Sequence, residues 1–263
     1  MVFIALPNRC QPERGQDLTM VETVTTFLKE KGFQRVQNFE EITSRFIEVA
    51  RRIMCSHELV YGDRERAWRI TALELYLHTG SESDVWQDPY THGVPAQLES
   101  GTWYVHDNGA RAPFYSGIDI TCGSSDLHGG LLIRELDTQH RWVFQRIVRG
   151  ANVNRERTNN TWSVDEKRII QQSIHGSQIG SGLLRLVETP SRNEQLFIGP
   201  RIGLKKRAGE DASSPEKVAY RTASLRIATS PTECLKTSMR ALASTLTSLV
   251  GWLASSCLLQ LLS

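Results

Sequence analysis

The sequence predicts an α+β protein with a mostly antiparallel, barrel-like sheet and flanking helices. Two observations predict this class. A segment with helical periodicity comes first, and several short apolar, β-branched runs then follow one another across brief turns. The 263 residues show no internal repeat and no second core, so we expect a single folded domain.

The helical segment covers residues 39–55. Apolar side chains recur there with a period near 3.6, as on one face of an amphipathic helix: Phe39, Ile42, Phe46, Val49, Ala50 and Ile53. A second helix is predicted around residues 164–173, in an otherwise polar region.

The predicted strands share a high content of β-branched and aromatic residues bounded by turn signals. The first two are joined by a turn at Gly62-Asp63, and a polar loop follows the second. The predicted strands are 57–62, 67–77, 102–106, 117–121, 130–136, 196–204 and 219–228.

These elements predict three regions: a peripheral N-terminal segment (1–37), the folded domain (38–230) and a C-terminal tail (231–263). Residues 241–263 carry no charge, and their leucines fall at helical spacing. Three interpretations of that stretch stay open: an amphipathic helix docking on the body or a partner, a tail anchor, or an artefact of gene prediction. Any membrane contact would be made through these residues.

Charge and cysteine usage set weak bounds on function. Lys and Arg number 31 against 29 Asp and Glu, so the net charge of +2 neither demands nor excludes a polyanionic partner. Five scattered cysteines without a CxxC pair favour reduced thiols over a disulfide or zinc framework. We therefore expect an intracellular, reducing location, in the nucleus or cytoplasm. We also expect a monomer.

Glu74 is the most informative residue, because it lies inside the strand-like run 67–77. Burying a lone carboxylate costs several kcal/mol, or raises its pKa, unless it is paired or hydrogen-bonded. Two interpretations follow. Either the strand is an edge strand with Glu74 facing water, which periodicity alone favours, or the carboxylate is buried because it has a chemical role.

The motifs downstream favour the second interpretation. Glu74-x-Tyr76 is followed by His92, by the strand Gly101-Thr102-Trp103-Tyr104-Val105-His106, and by Leu131-Leu132-Ile133-Arg134. In this order and spacing the chain resembles the alkyladenine (3-methyladenine, methylpurine) DNA glycosylase family of animal type. The resemblance covers roughly residues 39–228 and implies the fold of that family.

The resemblance also implies a function and its residues. We expect a monofunctional glycosylase that flips an alkylated or deaminated purine out of double-stranded DNA and hydrolyses its N-glycosidic bond with a Glu-activated water. No cofactor or metal is implied. The implied catalytic residues are Glu74 and Arg134. The implied base-binding residues are Tyr76, His92, Tyr104, His106 and Asp119, and the implied DNA contacts are Tyr115, Arg201, Lys205 and Arg221.

The chain departs from the family at the pocket. His106 stands where the family has its second stacking tyrosine, the pocket asparagine is absent, and Asp119 is an additional acid. Arg134 would hold Glu74, a phosphate or the water, or else form a salt bridge with Glu135 or Asp119.

Three alternatives come from other classes. A binding module on the same fold would grip a flipped base or nucleotide without hydrolysis. A metal-dependent hydrolase could use His78, His92, His106 and His128 with Asp119, although no HxH or HExxH spacing supports it. A membrane-tethered interaction protein would rest on residues 241–263.

Overall fold

A computed structural model describes residues 4–7, 23–33, 38–62, 66–79, 87–106, 117–137, 147, 164–201 and 225–229. These residues form three α-helices: α1 (Val24–Lys31), α2 (Phe39–Ser56) and α3 (Val164–Ile174). They also form ten strands: β1 (Ile4–Ala5), β2 (His57–Tyr61), β3 (Arg66–Trp68), β4 (Ile70–Thr79), β5 (Ser100–Val105), β6 (Ile118–Cys122), β7 (Leu127–Leu136), β8 (Leu184–Glu188), β9 (Phe197–Gly199) and β10 (Arg226–Ala228). The α+β class is confirmed.

Helix α2 confirms the periodicity of residues 39–55. Asn38 caps its N-terminus, since the Asn38 side chain accepts a hydrogen bond of 2.9 Å from the Glu41 backbone N–H. Its apolar stripe is buried, with Phe46 and Ile53 fully inaccessible to solvent. This stripe forms part of the core beneath the main sheet, together with Leu73 and Leu75 of β4.

The main sheet has seven strands in the order β1-β9-β10-β4-β7-β6-β5, and every pair in it is antiparallel. A second sheet has the order β3-β2-β8. The predicted strand 67–77 is therefore divided at Arg69, with its first part in the small sheet and its second part in the large one. This division frees β4 to lie in the middle of the main sheet.

The two faces of the main sheet differ in chemistry because side chains alternate along each strand. Leu73, Leu75 and Leu77 of β4 join the hydrophobic core on one face. Glu74 and Tyr76 point to the other. The register places one residue from each of six strands, β9, β10, β4, β7, β6 and β5, in a row across that second face: Gly199, Arg226, Glu74, Leu132, Asp119 and Tyr104.

Four elements of the described residues were not predicted from the sequence: α1, β1, β8 and a short 3-10 helix (Pro95–Leu98). Within the segment predicted to be peripheral (1–37), α1 contributes Phe27 and the fully buried Leu28 to the core. Its eight residues are too short for a clear helical period, and the helix is held by packing against α2 and β5. Of the last two predicted strands, 196–204 and 219–228, the structure describes residues 196–201 and 225–228, which contain β9 and β10.

The C-terminal interpretation stays a prediction, since residues 241–263 lie outside the described residues. In the ranges that the structure does describe, no helix is both long and apolar enough to cross a bilayer.

Candidate active site

Glu74 lies in the middle of the main sheet. Strand β4 pairs with β10 on one side and β7 on the other, so the edge-strand interpretation is wrong. The Glu74 residue is fully buried. Its burial requires compensating partners, because an uncompensated buried charge is strongly destabilising.

Two arginines and one phenol compensate the Glu74 carboxylate. Arg226, directly opposite on β10, places Nη1 3.2 Å from Oε1. Arg134 on β7 places Nε 3.2 Å from Oε2. The Tyr76 hydroxyl donates a hydrogen bond of 2.9 Å to Oε2. Among the roles considered for Arg134, the structure shows the contact with Glu74.

This environment shifts the pKa values of Arg134 and Tyr76. The charge of Glu74 raises the pKa of the Arg134 guanidinium above its usual value, although burial opposes that shift. Burial first, and the Glu74 charge second, raise the pKa of the Tyr76 phenol well above its usual value. Tyr76 therefore remains a hydrogen-bond donor to Glu74 at any physiological pH.

Solvent approaches this group on the side of Arg134. Its side chain is 32% exposed, whereas the side chains of Arg226 and Glu74 are 4% and 0% exposed. Arg226 was not predicted to belong to the site. Arg226 is 152 residues from Glu74 in the sequence. The sequence placed it only in a predicted strand, 219–228, with no indication that this strand pairs with β4.

Arg201, expected to contact DNA, is instead buried. It forms a salt bridge with Asp88 and donates to the Leu75 carbonyl at 3.2 Å. Its guanidinium carbon also lies 4.6 Å from the centroid of the Tyr76 ring. The acidic partner of Arg201 lies 113 residues away in the sequence, so no local pattern indicates this burial. Arg201 thereby anchors the loop of residues 87–98 to β4.

That loop places His92 on the same face of the main sheet, next to Tyr104 of β5. His92 Nδ1 lies 2.9 Å from the Tyr104 hydroxyl, and the His92 and His106 ring centroids are 4.5 Å apart. His106 Nε2 lies 2.7 Å from Oδ1 of Asp119, whose side chain is 2% exposed. The structure thus brings together four of the predicted base-binding residues: His92, Tyr104, His106 and Asp119.

Gly130 allows this cluster to approach β4. It lies directly opposite Tyr76 in the register of β4 and β7. A Cβ at this position would come within 2.6 Å of Asp119 Oδ2 and 3.2 Å of Gln97 Nε2. The absence of a side chain therefore lets the Asp119 carboxylate lie over β7, between its own strand and Tyr76.

The remaining predicted contacts are not placed. Tyr115, Lys205 and Arg221 lie outside the described residues. Of the histidines considered for a metal, His78 and His128 face each other with ring centroids 6.3 Å apart, separate from His92 and His106. In the described ranges no three His, Cys, Asp or Glu side chains are grouped so that they could hold a metal ion.

The arrangement offers two kinds of polar chemistry on one face. One is a buried anion held by cations and a phenol; the other is a partly exposed imidazole held by a carboxylate. The first can stabilise positive charge or accept a proton, and the second offers a ring face on which a ligand can stack.

Comparison with known proteins adds little to this geometry. No family model matches the chain. An uncharacterized protein of Acanthamoeba polyphaga mimivirus is 23% identical over 177 residues, which cover 60% of this chain and 79% of the viral protein. Because the viral protein is uncharacterized, this similarity indicates no activity for the chain.

Proposed function

We propose that the protein is a monofunctional DNA glycosylase that removes an alkylated or deaminated purine. One observation carries the proposal: a fully buried glutamate in the centre of the sheet, held by Arg134 and Tyr76, shares its face with the His92, Tyr104 and His106 rings. These are the residues that the resemblance assigns to catalysis and base binding.

The chemistry is hydrolysis at C1′ of the damaged nucleotide. Glu74 orients a water and accepts its proton, and its negative charge stabilises the oxocarbenium-like sugar. Arg134 and Tyr76 keep the carboxylate in one orientation, which such a reaction needs because small displacements of the base cost rate steeply. The aromatic rings stack on the extruded base, at roughly 1–3 kcal/mol for each base stacked.

Single-turnover base release tests the proposal. Duplexes carrying 7-methylguanine, ethenoadenine or hypoxanthine are incubated with the unmodified protein and with Glu74→Gln. We expect release of at least one base and loss of that release in Glu74→Gln. The control is Glu58→Gln, which removes another carboxylate paired with an arginine, at 3.1 Å from Arg192, but in the small sheet. Equal activity in Glu74→Gln, or loss of activity in the control alone, contradicts the proposal.

A binding module that grips a damaged base without cleaving it is the second candidate. The observation that favours it is the engagement of both Glu74 carboxylate oxygens by arginine and tyrosine side chains. Binding of the lesion duplexes without release of any base, in the unmodified protein, would support this candidate over the glycosylase.

A further inference from the structure

His78 and His128 form a cross-strand pair that the proposed function does not use. They lie directly opposite each other in the register of β4 and β7, and their ring centroids are 6.3 Å apart. The register is regular from Glu74 to Thr79, so alternation along β4 places His78 on the same face as Glu74 and Tyr76. The pair therefore lies two residues beyond Tyr76 on that face, a step of roughly 7 Å along the strand.

Both histidines of the pair have unused hydrogen-bonding capacity. Nδ1 of each ring is buried and has no hydrogen-bond partner among the residues that the structure describes. Buried polar atoms are rarely left in this state, because each loses its bonds to water without gaining others. The other described histidines all use a ring nitrogen in a hydrogen bond: His57, His92, His106 and His175. A ligand shared by the two rings would explain why both nitrogens of this pair lack a partner.

The distance between the rings suits a metal ion. Zinc binds imidazole nitrogen at about 2.0–2.1 Å, so two imidazoles sharing one ion hold their centroids roughly 5–6.5 Å apart, depending on the angle at the metal. The observed 6.3 Å lies in this range. Both residues are half-buried, which leaves a side open to solvent from which water can complete the coordination. Imidazole ligands favour Zn²⁺, Cu²⁺ and Ni²⁺ over Mg²⁺ and Ca²⁺.

We propose that His78 and His128 together bind one divalent transition-metal ion, with a nitrogen of each ring as ligand and water in the remaining coordination positions. The ion joins the end of β4 to the start of β7 and stabilises their pairing, on the face that also carries Glu74. This inference concerns binding and not metal-dependent hydrolysis. It does not depend on the proposed glycosylase activity.

Metal titration of the full chain, prepared without a histidine tag, tests the inference. Isothermal titration calorimetry is performed slightly above neutral pH, where an ordinary imidazole is in the neutral form that binds metals. Zn²⁺ is the first probe, followed by Cu²⁺, Ni²⁺ and Mg²⁺. The variants are His78→Gln and His128→Gln. The matched control is His175→Gln, since the His175 ring already accepts a hydrogen bond at 3.3 Å from the Val105 backbone N–H.

We expect one Zn²⁺ to bind per chain and its affinity to fall at least about 10-fold in His78→Gln and in His128→Gln, because even the outer-shell partners of metal ligands contribute that much. The His175→Gln control should bind as the unmodified protein does. Cu²⁺ should bind more tightly than Zn²⁺ or Ni²⁺, and Mg²⁺ should not bind. Zn²⁺ should also raise the melting temperature of the unmodified protein, because it binds the folded state, and should raise that of His78→Gln less.

Nuclear magnetic resonance of the unmodified protein decides the question if the variants do not fold, as judged by circular dichroism. Zn²⁺ should shift the ring ¹⁵N signals of His78 and His128 and leave those of His175 in place. Absence of Zn²⁺ binding, unchanged affinity in both variants, an equal loss in the control, or shifts confined to other histidines would each overturn the inference. None of these outcomes bears on the glycosylase, which base release by the unmodified protein and Glu74→Gln tests separately.

Discussion

Glu74 on β4 and Arg226 on β10 are direct cross-strand neighbours, with Nη1 of the arginine 3.2 Å from Oε1 of the glutamate. The two residues are 152 positions apart, and both are buried. Arg226 also reaches Glu135 on β7 at 3.4 Å, so it links three neighbouring strands of the sheet.

Replacing Arg226 by Met should strongly destabilise the protein. The substitution leaves the Glu74 charge with fewer partners in a buried site, and breaking one side of a buried ion pair costs roughly 3–5 kcal/mol. Urea unfolding measures the change in free energy. The double variant Arg226→Met/Glu74→Gln should recover part of the loss, because it removes the charge as well. Additive losses in the double variant would show that the two side chains do not act as a pair.

Replacing Gly130 by Ala should also destabilise the protein, by about 1–3 kcal/mol, as expected for overpacking. The new Cβ would meet Asp119 Oδ2 at 2.6 Å, so the carboxylate and its histidine would have to move. Thermal unfolding measures the effect. Gly180→Ala is the matched control, because a Cβ there meets nothing closer than 3.9 Å. A similar loss in both variants would indicate that the effect is unrelated to Asp119.

Stability should fall as the solution becomes mildly acidic, because of His57. Burial lowers the pKa of this imidazole below its ordinary 6.5, while its hydrogen bond to the Arg52 carbonyl opposes the shift. The unfolded chain therefore takes up the proton first, so the contribution is complete above pH 6.5 and is lost as pH falls toward the folded-state pKa.

Urea unfolding at a series of pH values checks this, with His57→Gln beside the unmodified protein. The variant should show a shallower loss of stability on acidification, since its side chain does not titrate. Identical slopes for the two proteins would assign the acid sensitivity to other groups.

Much of the local structure could be predicted from the sequence. The period of residues 39–55 identified α2, and alternation along 67–77 placed Glu74 and Tyr76 on one face of a strand, where the two side chains form a hydrogen bond. These properties depend on residues near one another in the chain, and the geometry of a helix or strand converts their spacing directly into a shared face.

Only the tertiary structure decided whether Glu74 was buried and what compensates it. Pairing of β10 with β4 turned a possible edge strand into a central one and delivered Arg226. The same kind of long-range contact buried Arg201 against Asp88 and joined His106 to Asp119. Local composition cannot specify these pairs, because which distant strands meet, and in which register, is decided by how the whole sheet packs over its core.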